Sequence, residues 1–163
     1  MNTKRFATTV ARCLLLVAAV AVMTACTPAP QTSNTPPAGS TMPASIVDPY
    51  LAIEDGLARD NIDQLRANAG NLATAAAALG SPAVKIDTAA VQLASARDID
   101  DARDKFGTLS DAVVAYMDGL HFKPGEGVRQ AYCPMKQKPW LQKGDTIANP
   151  YYGSSMLTCG NFK

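Results

Sequence analysis

YCPMKQKPWLQKGDTIANPYYGSSMLTCG, residues 132–160, is the stretch on which the fold class turns, because it breaks the regular apolar spacing of the chain before it. Pro134, Pro139, Gly144, Pro150 and Gly153 punctuate it every few residues, and Asn149-Pro150 favours a turn. No part of the chain reads as a convincing alternating strand. The stretch is not a linker, however. It holds the single tryptophan, Trp140, together with Tyr132, Leu141, Ile147, Tyr151, Tyr152 and Leu157. Each such side chain contributes about 1.5–3 kcal/mol when fully covered, which is enough to order a loop. The expectation is an irregular but ordered segment packed on one side or end of a helical body.

That body is read from its periodicity. Ile46, Tyr50, Ile53 and Leu57 recur at steps of four, three and four, with Asp48-Pro49 as an expected N-cap and first-turn proline. Ile62, Leu65, Ala69, Leu72, Ala76 and Leu79 alternate steps of three and four, and Gly80 then suits a C-cap. Ser81-Pro82 can open a shorter helix with Ile86, Ala90 and Leu93 on one face. Asp98 is the expected cap of a fourth helix, whose stripe is Ile99, Ala102, Phe106, Leu109, Val113, Tyr116 and Leu120. Asp100 and Asp101 favour its positive N-terminal end. The expected fold is therefore all-α, an up-and-down bundle of about four helices carrying the irregular C-terminal segment.

The first residues carry an address. Lys4, Arg5 and Arg12 precede an apolar run from Cys13 to Val22, too short for the roughly 18 residues a membrane span needs. Met23-Thr24-Ala25-Cys26 resembles a bacterial lipobox, with Met23 in place of the commoner leucine. The resemblance implies a signal peptide over residues 1–25, a lipid on Cys26 and anchoring by several acyl chains. Thr27, where an inner-membrane retention signal would place aspartate, favours the periplasmic face of the outer membrane. Pro, Thr and Ser dominate the following residues, so 26–45 are expected to be a tether and 46–163 the folded domain.

The whole chain of 163 residues carries 15 basic and 14 acidic side chains. Their distribution is uneven: residues 46–120 hold 12 acids and 6 bases, residues 121–163 hold 2 acids and 6 bases. The basic tail is expected to lie against acidic helices. Nucleic acid is an unsuitable partner, since no basic, aromatic-rich face is present. Catalysis is not expected either. There is no C-x-x-C for thiol–disulfide exchange and no C-x-x-C-H for haem, and His121 is the single histidine. The cluster Asp98, Asp100, Asp101 and Asp104 reads as ordinary helix capping.

Two accounts fit the sulfurs of the quoted stretch. Cys133 and Cys159, in an oxidising compartment, would form a disulfide worth about 3 kcal/mol, with the methionines as packing. Alternatively Cys133, Met135, Met156 and Cys159 form a soft-donor set for Cu(I) or Ag(I), with His121 as a possible further ligand. In that account Pro134 rigidly joins the first pair, and the second spans about one helical turn. Finger-like spacing for zinc is missing.

The order Tyr-Cys-Pro-Met, Trp-Leu, Asn-Pro-Tyr-Tyr-Gly, Met and Cys-Gly resembles a periplasmic helical domain of unknown function. Residues 102–110, Ala-Arg-Asp-Lys-Phe-Gly-Thr-Leu-Ser, resemble its R-x-x-F-x-x-L-S stretch. That domain occurs in bacterial lipoproteins and fused to periplasmic adaptor subunits of copper/silver efflux systems. The resemblance covers about Ile46 to Gly160 and falls on Cys133, Met135, Trp140, Asn149, Pro150, Tyr152, Gly153, Met156, Cys159 and Gly160. It implies Cu(I) handling beside an efflux adaptor or a periplasmic metallochaperone, with the four sulfurs as ligands. The Asn-Pro-Tyr-Tyr-Gly segment is expected to be a folding turn.

Overall fold

A computed structural model describes Pro37 and residues 39–163. The expected signal peptide, Cys26 and most of the expected tether lie outside the described residues. Among the described residues four α-helices come first: α1 (Ala44–Ala58), α2 (Leu65–Ala78), α3 (Val84–Ala94) and α4 (Ile99–Gly119). They are followed by three short strands, β1 (Val128–Cys133), β2 (Lys138–Lys143) and β3 (Asn161–Phe162). Consecutive helices pack on one another, and β2 lies against both α4 and α1.

The helical stripes hold except at their ends, where Ile62 precedes α2 and Leu120 follows α4. Ile46, Tyr50, Ile53, Leu57, Leu72, Ala76, Ile86, Leu93, Phe106, Leu109 and Val113 form one buried core with the sheet residues Ala131, Cys133, Trp140 and Leu141. Leu79, the last of its stripe, remains exposed. Asp98 caps α4 as expected, its Oδ1 accepting from the Asp101 N–H at 2.9 Å. Gly80 takes a positive φ of 74° just past α2, and Ser81–Ala83 form a 3₁₀ turn into α3. The expected start of α1 needs correcting. The helix begins at Ala44 with Pro43 before it, and Pro49 lies inside it. The segment preceding α1 is fixed to the α4–β1 connection, where Met42 N donates to Lys123 O and Lys123 N to Ser40 O.

The expected all-α bundle is overturned by the sheet. β1 pairs antiparallel with β2 from Val128–Lys143 to Cys133–Lys138, and with β3 through Ala131–Phe162 and Tyr132–Asn161. The strand order is β2-β1-β3 and the fold is mixed helix and sheet. Only residues 144–160 keep the irregular character expected of the whole tail. The strands escape a period-two reading because β2 is covered by helices, so Trp140, Leu141 and Gln142 are buried in succession rather than alternately. Pro139 also argues against a strand, yet β2 is an edge strand, where a missing N–H is tolerated.

Tyr50 ties the two layers together. It is fully buried, its ring lies 5.3 Å from that of Phe106 on α4, and its hydroxyl pairs with Ser110. The same oxygen accepts the Leu141 N–H of β2 at 3.1 Å. Burial accordingly drives the phenol's pKa well above its ordinary value. Tyr50→Phe keeps the ring and strands two buried polar groups. Its expected cost is about 1–3 kcal/mol in urea unfolding, and an unchanged midpoint would show that the hydroxyl does not couple helix to sheet.

Candidate functional site

Cys133 is the last residue of β1 and is buried. The four-residue turn 134–137 follows, closed by Gln137 in the left-handed region at φ 57°. It folds the Lys136 N–H back onto the Cys133 sulfur at 3.4 Å. The turn is held against α4 by two ion pairs, Lys136–Asp104 at 2.5 Å and Lys138–Asp111. The lysines beside the sulfur are therefore matched by acidic partners on α4, as the charge distribution of the sequence suggested.

The second cysteine arrives from the other side of β1. Because Tyr132 pairs with Asn161, the ladder points Gly160 towards Cys133 and leaves Cys159 one residue beyond. No disulfide joins the two in the structure, and Cys159 is partly exposed. The Cys159 thiol is pushed above its ordinary pKa, first by burial and then by the adjacent Cys133. The two cysteines are thus neighbours, Cys133 buried and Cys159 towards the surface.

Asn149 links the two segments. Its side chain is buried, with Nδ2 donating to Cys133 Sγ at 3.3 Å and to Cys159 O at 2.5 Å. Its Oδ1 accepts the Tyr151 N–H at 2.8 Å. The loop carrying it is fixed on both flanks. Arg103 of α4, its side chain 12% exposed, donates to Pro150 O, to Leu57 O at the end of α1 and to Asp60. Asp60 in turn accepts the Ser154 N–H, and these bonds hold its carboxyl below the usual range. On the inner flank, Tyr151 donates to Pro139 O and meets Trp140 edge-on at 5.9 Å. Gln142, also buried, accepts from Trp140 Nε1 and Ala148 N and donates to Thr146 O.

The remaining expected ligands are placed unequally. Met156 is half-buried in the turn that leads to Cys159, whose N–H it receives at 3.0 Å. Met135 sits on the hairpin turn, 60% exposed. His121 is not brought to the site. It is exposed just past the C-terminus of α4 at φ 54°, its carbonyl accepting from Gly39. The hairpin turn instead meets α4 at Asp104, near the opposite end and more than about 20 Å away along the helix. Among the described residues no group of three or more His, Cys, Asp or Glu converges. Any metal centre here rests on sulfur. Cys26 lies outside the described residues.

Sequence reasoning missed Asn149 and Gln142 as the polar framework of the site. Their signal was available: each stands among apolar neighbours, Asn149 between Ile147-Ala148 and Pro150-Tyr151 and Gln142 after Trp140-Leu141. Comparison of the chain with protein families, with curated proteins and with solved structures returns no match.

Proposed function

We propose that this chain is a lipid-anchored periplasmic protein that binds Cu(I) or Ag(I), for sequestration or for delivery to an efflux system. The observation that carries the proposal is the proximity of Cys133 and Cys159, brought together from two separate segments by one amide that bonds Cys133 Sγ and Cys159 O. Two thiolates supply the low-coordinate soft site that Cu(I) favours, and a thioether can complete a third position. Two N–H groups aim at the Cys133 sulfur, that of Lys136 and the Asn149 amide, and fix its direction. The exposed Met135 offers a first contact to an incoming ion, and low coordination lets ligands exchange stepwise. A lipid on Cys26 and the tether after it would hold the domain near the outer membrane, within reach of an efflux adaptor or a metallochaperone.

The test is a Cu(I) titration of the mature chain, reduced and oxidised, against a chromophoric chelator. Binding is expected for the reduced form alone, with at least a hundredfold loss in Cys133→Ser/Cys159→Ser. Tight Cu(I) binding by that double variant would sink the assignment.

The same proximity favours a second reading, an envelope interaction module stapled by a Cys133–Cys159 disulfide. Closing the loop between them would contribute about 3 kcal/mol. On this reading the purified protein gives no thiol reaction until reduced, loses thermal stability on reduction, and competes for no metal in either state.

A further inference from the structure

Asn149 does more than close a turn. An Asn-Pro turn needs only the side-chain oxygen, which here accepts the Tyr151 N–H at 2.8 Å. The other end of the amide is spent on the two sulfur-bearing segments, at 3.3 Å from Cys133 Sγ and 2.5 Å from Cys159 O. Its orientation is settled by chemistry: turned over, it would set two carbonyl oxygens 2.5 Å apart. The main chain adds two bonds, Asn149 N to Leu157 O at 2.7 Å and Gly153 N to Asn149 O at 3.0 Å. This fully buried side chain therefore has no slack.

We infer that Asn149 is the positioning residue of the sulfur pair, fixing the Cys133 sulfur and the Cys159 main chain relative to each other through one amide group. The inference deepens the metal-binding proposal and uses its sulfur pair, but the geometric claim stands without a metal. No other side chain meets the demands. Aspartate would cap the turn yet set an acceptor against the Cys159 carbonyl and negative charge against sulfur. Serine and alanine are too short to reach both. Groups that orient metal ligands in this way typically change affinity by about 10–100-fold when removed.

The experiment compares the mature wild-type chain with Asn149→Asp and with Tyr151→Phe. The latter removes the hydroxyl bond to Pro139 O and leaves the amide untouched. The first readout is equilibrium with glutathione. The two thiols pass two electrons and two protons to one glutathione disulfide, giving the Cys133–Cys159 disulfide and two glutathione thiols. Asn149→Asp is expected to disfavour the protein disulfide by about tenfold, about 30 mV, while Tyr151→Phe leaves it in place. The second readout is Cu(I) affinity, expected to fall about 10–100-fold in Asn149→Asp. An unchanged glutathione equilibrium in Asn149→Asp overturns the inference, as does an equal shift in Tyr151→Phe. If the wild type binds no Cu(I), the metal reading fails while the glutathione readout still decides the role of Asn149. If Asn149→Asp does not fold, the wild type serves: the Asn149 side-chain amide resonances should shift between the dithiol and disulfide forms. Resonances that stay put overturn the inference.

Discussion

Gly160→Ala should destabilise the protein by about 2–5 kcal/mol, which is much of the stability expected for a domain of this size. Gly160 follows Cys159 and sits at φ +151°, where a β-carbon is strained, at a cost of about 1–3 kcal/mol. That carbon would also stand 2.6 Å from Cη2 of Trp140 and 3.1 Å from Tyr132 O. The indole cannot withdraw. It is fully buried, bonded to Gln142 Oε1 at 3.1 Å and wedged edge-on against Tyr151. Overpacking of this kind adds about 1–3 kcal/mol. Urea unfolding followed by the fluorescence of Trp140, the single tryptophan, reads the effect at its source. Gly119→Ala in the last turn of α4 is the control of opposite sign. Nothing lies within 4 Å of its added carbon, and the helix should gain up to about 1 kcal/mol. Equal effects of the two substitutions would remove the Trp140 contact as the explanation.

This contact also shows where the sequence could be read and where it could not. The helices were legible because each turns one apolar stripe to a single core, so burial of Phe106, Leu109 and Val113 follows the helical period. The hairpin was not, because two helices cover β2 and erase the alternation that marks a half-exposed strand. Its prolines pointed the same wrong way, since Pro134 belongs to the turn and Pro139 to an edge strand. The site was legible in parts for a related reason. Which sulfurs meet depends on strand register, and Tyr132–Asn161 pairing is a long-range fact with no local signature. Without it, Cys133, Met135, Met156 and Cys159 are equivalent candidates, with His121 as a possible further ligand. With it, the cysteines come together, Met156 stays close in the chain, Met135 faces solvent and His121 is at the far end of α4. Asn149 was visible as a turn residue, but its amide contacts come from segments 16 and 10 residues away.

Glu54→Gln should remove a fall in stability that the wild type shows between about pH 4.5 and 8. Glu54 is on the buried face of α1, one turn from Tyr50, and among the described residues its Oε1 has no hydrogen-bond partner. Burial first, and the neighbouring Asp55 second, push its carboxyl up to about 8, while Arg59 pulls the other way. The folded protein therefore keeps this proton until about pH 8, whereas the unfolded chain releases it near 4.5. Between those values the unfolded state binds fewer protons, so stability declines as pH rises and levels off above the folded value. At about 1.4 kcal/mol per pH unit the full decline is on the order of 5 kcal/mol. Glutamine has the same shape and no proton to lose, so the variant's urea midpoint should stay nearly level from pH 5 to 8 and exceed the wild type's at pH 8. Other shifted carboxyls do not blur the comparison. Asp60 and Asp101 are held low by their hydrogen bonds and ion pairs, Asp101 at about 2, so their contributions are lost below this window as pH falls. They are common to both proteins and cancel in the difference. Parallel pH profiles for the two proteins would mean that Glu54 is charged in the fold and has found a partner or water.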